Sequence, residues 1–250
     1  MNRYEKFQEA LKVKKQIVTS QISFNPRPYK DYAGSLIVLE GNDGAGKTTL
    51  AQMLVDKINI TLVTKGYKEM AHYVRTPGGT LLGEDLRNIL LNANYEIDPL
   101  SEAFLFQAQL NQCIKEVILP LLRVGKTVVC DRLIFSSFAY QGAGREMDFN
   151  MLNRLQDMSL KGVWPDFGFM LYNPIKKVSD GTRMEDAGDS FSLRVKTYYD
   201  YILKYSESAR RLMIPIRVDP TPLKTLDSIW HQMLLKNDFV NTQPKTKGTP

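Results

Sequence analysis

The chain has 250 residues, 43% hydrophobic and 24% charged, the balance of a soluble globular protein long enough to bury a full core. No stretch approaches the ~18 consecutive apolar residues of a membrane span, the opening MNRYEKFQEALKVKK has no secretory apolar block, and Glu5 and Glu9 oppose a transit peptide. The net charge of +6 sits at the ends, +4 in residues 1–33 and +1 in 237–250, so the body carries no broad basic face for duplex nucleic acid.

In chain order, residues 1–33 read as a helical extension, with Phe7, Leu11 and Ile17 set among lysines, followed by the linker Asn25-Pro26-Arg27-Pro28. Apolar runs that suit buried parallel strands then alternate with stretches of helical period. The strands are expected at Ser35–Glu40, Met70–Arg75, Thr127–Asp131, Phe167–Tyr172 and Ile214–Asp219. Helices are expected near 46–58, 81–92, 100–124, 148–159, 188–206 and 222–236. Such alternation implies an α/β fold, a central five-stranded parallel sheet with helices on both faces. Residues 34–236 form the single domain expected, and the polar tail 237–250 is expected to be disordered. Cys113 and Cys130 have no metal-like spacing, which suits a reducing cytoplasm.

The segment Glu40-Gly41-Asn42-Asp43-Gly44-Ala45-Gly46-Lys47-Thr48-Thr49 fits G-x-x-x-x-G-K-[ST] between a strand and a helix, the phosphate-binding loop of the P-loop NTPase fold. Glycines at 44 and 46 let backbone N–H groups turn inward toward phosphate oxygens, and the following helix presents its positive end. In such a loop Lys47 bridges the β- and γ-phosphates of ATP, and the Thr48 hydroxyl holds Mg²⁺. The strand 127–131 ends in Asp131, a carboxylate placed for the same cation, and Arg132 points a guanidinium toward the same phosphates. The motif identifies a nucleoside triphosphate and is silent on the acceptor.

Four segments together carry a more specific message. They are the loop EGNDGAGKTT; Arg75-Thr76-Pro77-Gly78-Gly79-Thr80 with Leu86-Arg87 after it; Glu102-Ala103-Phe104-Leu105-Phe106; and Asp131-Arg132 followed by Ser136 to Arg145 (SSFAYQGAGR). From about Ser35 to about Trp230 the chain resembles the thymidylate kinase family. The resemblance implies transfer of a phosphoryl group from ATP to dTMP, with Mg²⁺, in a cytoplasmic homodimer whose interface involves the long helix near 100–124. It implies that Asp43 accepts a hydrogen bond from the sugar 3′-hydroxyl, and that Arg87, Arg132 and, more weakly, Arg75 grip the monophosphate. Phe106 stacks on the pyrimidine with Pro77 on its other side. Ser137 reads the base edge, Tyr140 crowds the sugar 2′ position, and Gln141 supports the pocket. The Tyr198, Tyr199, Tyr201, Tyr205 group reads as helix packing, and Glu102 as a local cap or pair.

Two departures from the family pattern stand out. Leu110 occupies the place, four residues after the stacking Phe106, where the family carries an arginine that meets the thymine 4-carbonyl. An unpaired carbonyl there costs roughly 1–3 kcal/mol. Gln107, from nearly the same helical face, can donate or accept in its stead. The base preference therefore stays open among dTMP, dUMP or a 5-modified dUMP, and dCMP. The segment 173–187, where the family has a basic lid, is compact. Gly44 is of the type that takes its catalytic cation from that lid, which points to Arg183, with Lys176 or Lys177 as substitutes. Arg87 and Arg132 oppose a nucleoside kinase, and no N-K-x-D run marks a guanine-nucleotide switch. An inactive nucleotide-binding scaffold is the remaining alternative.

Overall fold

The computed structural model describes residues 1–20, 24, 32–68, 70–173 and 187–235. The Pro-containing linker, the lid residues Lys176, Lys177 and Arg183, and the tail 237–250 lie outside the described residues. Five parallel strands form one sheet in the order β2-β3-β1-β4-β5. They are β1 (Ser35–Gly41), β2 (Ala71–Arg75), β3 (Thr127–Asp131), β4 (Phe167–Tyr172) and β5 (Met213–Arg217). Their side chains alternate between two apolar cores. Leu36, Val38, Val128, Cys130 and Met170 face one core, while Ile37, Leu39, Val129, Phe169 and Leu171 face the other. Both sides of the inner strands β1, β3 and β4 are dry, which is why these three read as apolar runs. Pro215 is tolerated because β5 is an edge strand.

The second core is covered by α2 (Lys47–Thr64) and α10 (Pro222–Leu235). Helix α2 runs past its expected end near residue 58 because Leu62 extends the buried stripe of Leu50, Leu54 and Ile58. The first core is covered by α4 (Pro99–Cys113), α7 (Phe149–Leu160) and α8 (Asp189–Tyr205), with α3 (Leu81–Leu91) beside α4. The helix expected over 100–124 is interrupted by a π-helical turn at Ile114–Ile118 before α5 (Leu119–Arg123). Pro120 explains the interruption, since it has no N–H to continue the α-helical ladder. Two helical segments escaped the periodicity. One is α6 (Phe135–Ser137) with the π-helical Phe138–Gly144 that follows it, and the other is α9 (Glu207–Leu212), capped by Ser206.

The amino-terminal helix α1 (Arg3–Thr19) forms as expected, with Asn2 and Glu5 making a reciprocal cap. It lies along α8, burying Val13 and Ile17. Its polar side grips the wall of the site described below. Arg194 on α8 pairs with Glu9 at 2.6 Å while donating to the carbonyls of Ala143 (3.0 Å) and Gly144 (2.7 Å). Gln16 Nε2 donates to Met147 O at 3.3 Å. Phe24 is buried against the rings of Phe135 and Phe138, with centroids 4.8 and 5.4 Å away. Helix α1 and Phe24 are thus packed on the body.

Candidate active site

The carboxyl ends of the strands, where parallel sheets collect ligands, converge on a cavity of about 380 Å³. At its floor is the glycine-rich loop. Gly44 and Gly46 have φ of 75° and 76°, a left-handed conformation that costs glycine little. Asn173, just past β4, donates from Nδ2 to Gly44 O at 2.7 Å and ties the loop down. Lys47 begins α2, is 6% exposed, and donates to Asn42 O at 2.8 Å. Burial, and then repulsion from Arg132, lower its pKa to about 7, against the pull of Asp43, Asp131 and Glu40. Thr48 Oγ1 donates to Asp131 Oδ2 at 2.6 Å. The other oxygen, Asp131 Oδ1, is buried with no hydrogen-bond partner among the described residues.

Arg132 links this floor to the rest of the cavity. Its backbone is left-handed (φ 67°), an uncommon state for a residue with a side chain. It is held there by its own N–H, which donates to Leu39 O, and by its carbonyl, which accepts from Thr76 Oγ1 at 2.8 Å. The guanidinium donates to Asp43, to Gly41 O (3.2 Å), to Ser136 Oγ (2.9 Å) and to the hydroxyls of Tyr199 and Tyr140 (3.2 Å each). Tyr140 Oη also donates to Asp43. Burial works against the Arg132 charge, but Tyr140, Asp43, Tyr199 and Asp131 outweigh it and hold its pKa above the usual value.

Beneath Arg132 lies an anchor that sequence reasoning missed. Glu40, fully buried on β1, accepts the backbone N–H groups of Leu133, Ile134 and Phe135 through one carboxyl oxygen, each at 2.9 Å. Its second oxygen accepts from Ser136 Oγ at 2.9 Å. The start of α6, and with it Ser136 and Ser137, is positioned by this one side chain.

Above the floor, the cavity is lined by Phe106, Pro77, Leu110, Ser137, Tyr140 and Gln141, together with Arg75 and Arg87. Arg75 pairs with Glu84 at 2.6 Å, and Arg87 donates to Pro77 O at 2.9 Å. Burial and then the Arg75 charge lower the Arg87 pKa. Gln141 donates to Glu102 at 2.8 Å, and Glu102, fully buried, also receives Arg145 at 3.0 Å. Glu102 therefore pairs across to the π-helical segment and its end at Arg145.

The structure thus brings together on one cavity the loop residues Asp43, Gly44, Gly46, Lys47, Thr48 and Thr49, with Asp131, Arg132 and the wall residues just named. Ala45 is buried in the turn of the loop. Gln107 does not line the cavity. It sits one layer behind, donating from Nε2 to Ser137 Oγ at 3.1 Å. Tyr199, read from sequence as packing, is indeed buried but also holds Arg132 and Ser136. No local signal distinguishes it from Tyr198 beside it. Arg183 lies outside the described residues.

A family model described as thymidylate kinase matches residues 39–213. A thymidylate kinase of Cutibacterium acnes is 39% identical over 171 residues, covering 66% of this chain and 81% of that protein. One of Legionella pneumophila (strain Paris) is 38% identical over 183 residues, covering 68% and 82%. Among solved structures, the crystal structure of thymidylate kinase from Ehrlichia chaffeensis superposes with a TM-score of 0.65 at 29% identity, over 80% of this chain and 98% of that one. The matched span contains the whole of the phosphate loop from Gly41 on, the Arg132 cluster and the cavity above it, so the chain belongs to the thymidylate kinase family.

Proposed function

We propose that the protein transfers the γ-phosphoryl group of ATP to dTMP, giving dTDP and ADP. The observation that carries this reading is the cluster of Asp43, Arg132 and Tyr140. It joins a phosphate loop to a cavity walled by an aromatic ring, so donor and acceptor meet end to end. In this reading Lys47 bridges the β- and γ-phosphates. The loop N–H groups from Asp43 to Thr49 cradle the donor, and Arg132 and Arg87, with Arg75 beside them, hold the acceptor phosphate in line. Burial first, and the neighbouring Arg75 charge second, lower the Arg87 pKa, and a bound anion favours its charged form. Asp43 takes the sugar 3′-hydroxyl, Phe106 and Pro77 sandwich the base, and Ser137 faces its edge. Tyr140 fills the space at the sugar 2′ position, backed by Gln141. Arg183 supplies the lid cation.

Oxygen donors Thr48 and Asp131, the latter with an unpartnered buried oxygen, suit Mg²⁺, which binds few protein groups and relies on substrate phosphates. Held by Thr48 and Asp131, Mg²⁺ would supply charge neutralisation for the phosphoryl group. The exposed Leu81, Leu82, Leu100 and Phe104 on α3 and α4 support a homodimer through those helices. Among the described residues no helix is long and apolar enough to cross a membrane, and a cytoplasmic protein that binds no nucleic acid fits the charge distribution.

The test is a coupled ADP-release assay with ATP and Mg²⁺, run separately with dTMP, dUMP, 5-hydroxymethyl-dUMP, dCMP, UMP and thymidine. Turnover with dTMP and none with thymidine is expected, and silence with every acceptor would overturn the reading. A pH effect follows from Lys47. Its free-state pKa is about 7, and phosphate oxygens favour the ammonium, so the bound value is higher. ATP binding at pH 8 should therefore take up a proton, and affinity should fall as pH rises from 7 toward 9. Calorimetry at pH 8 in two buffers of different ionisation heat reads this directly. Equal heats in both would contradict it.

A further inference from the structure

The α4 side of the cavity carries no group of fixed polarity free to meet a ligand. Leu110 is apolar and 2% exposed. Gln109 is satisfied at both ends, its Oε1 accepting from Gly78 N–H at 3.1 Å and its Nε2 donating to Phe106 O at 3.0 Å. That leaves Gln107, 6% exposed, whose Nε2 donates to Ser137 Oγ while its Oε1 has no hydrogen-bond partner among the described residues. Ser137 is the group in front of it, on the cavity wall.

We propose that Gln107 and Ser137 form an invertible relay that lets the acceptor cavity take both uracil-type and cytosine-type deoxynucleoside monophosphates. The inference rests on the cavity being the acceptor site of the proposed phosphotransfer. When the Gln107 amide N–H donates to Ser137, the serine O–H is released toward the cavity as a donor. When the amide turns over, its oxygen accepts the serine O–H, and Ser137 presents a lone pair instead. The two amide ends have nearly the same shape, and turning exchanges one unpaired end for the other, so neither orientation loses a net hydrogen bond.

The two base classes differ by the same inversion. Thymine and uracil carry N–H at position 3 and a carbonyl at position 4. Cytosine carries a bare nitrogen at position 3 and an amino group at position 4. Whichever of these positions Ser137 meets, one state of the relay matches each base. A site of fixed polarity rejects the mismatched base by about 10⁴-fold or more, because a buried group is left unpaired. A reversible hydroxyl avoids that penalty, and Leu110 adds no fixed donor to restore it.

The experiment measures kcat/KM for dTMP and dCMP with ATP on the full chain, alongside equilibrium binding of each nucleotide. The expected native ratio is within about tenfold of unity. Leu110→Arg, which installs a fixed donor, should widen the preference for dTMP over dCMP by about a hundredfold or more. Gln107→Met, checked by thermal melting, should weaken both nucleotides by similar factors, since Ser137 then loses its partner in either state. Efficient turnover of dTMP with dCMP rejected more than a thousandfold would overturn the relay, as would a Gln107→Met loss confined to one base. Failure of both nucleotides to react would instead count against the phosphotransfer reading itself. If Gln107→Met does not fold, the native ratio and the Leu110→Arg shift decide.

Discussion

Replacing Lys47 with alanine is expected to cut kcat for phosphoryl transfer about a thousandfold, with ATP binding weakened as well. Lys47 is a buried amine at the amino end of α2, aimed into the loop by the Asn42 carbonyl. Its charge is suppressed by burial and by Arg132, so arriving phosphates meet a preplaced amine and raise its proton affinity. Alanine removes that charge without touching the apolar stripe of α2, so the fold should persist with a melting temperature within a few degrees of the native protein. Steady-state ADP release and a melting curve separate the two effects. Turnover within tenfold of native would mean that this loop is not where the donor phosphates sit.

The second large effect concerns stability. Glu40→Ala should destabilise the protein by about 4 kcal/mol, because three backbone N–H groups and the Ser136 hydroxyl lose their acceptor inside a dry core. Glu40→Gln retains one amide oxygen to receive the three N–H groups. It should cost only about 1–2 kcal/mol, mainly at Ser136. Urea titration of the two variants reads the difference. Equal losses would mean that charge rather than the hydrogen-bond count anchors the segment. Either variant should also lower activity beyond what its stability implies, since Arg132 bonds to Ser136 and the cavity is lined by Ser136 and Ser137.

How much of this was legible beforehand depended on whether the signal was local. The inner strands β1, β3 and β4 were readable because both sheet faces are covered there, which leaves apolar runs that end in Glu40, Asp131 and Tyr172. The phosphate loop was readable because its function demands glycines and a lysine in adjacent positions. Glu40 was visible as a residue but not as an anchor, since its partners lie 93 to 96 residues away and appear only when Leu133–Ser136 folds back over β1. Tyr199 reaches Arg132 across 67 positions from a helix whose pattern signals packing alone. For Gln107 and Leu110 the helical spacing read both as lying on nearly one face of α4. It could not say that one forms the cavity wall while the other stands behind Ser137, a distinction set by α6. The periodicity over 100–124 read as one helix and passed over Pro120, where the structure has a π-helical turn at Ile114–Ile118 and then α5.

The grip of α1 on the cavity wall has a consequence for how the molecule responds to its ligands. Glu9 and Gln16 reach, through Arg194 and directly, the carbonyls at 143, 144 and 147, which close the π-helical segment that carries Tyr140 and Gln141. Occupation of the cavity and docking of α1 therefore draw on the same local folding equilibrium. Reciprocity requires that whatever free energy an acceptor adds to that wall is returned as tighter docking of α1, and that loosening α1 weakens the acceptor by the same factor. The amino-terminal helix lies outside the span shared with the family. Its contacts with the wall predict that amide exchange in α1 slows when the cavity is occupied.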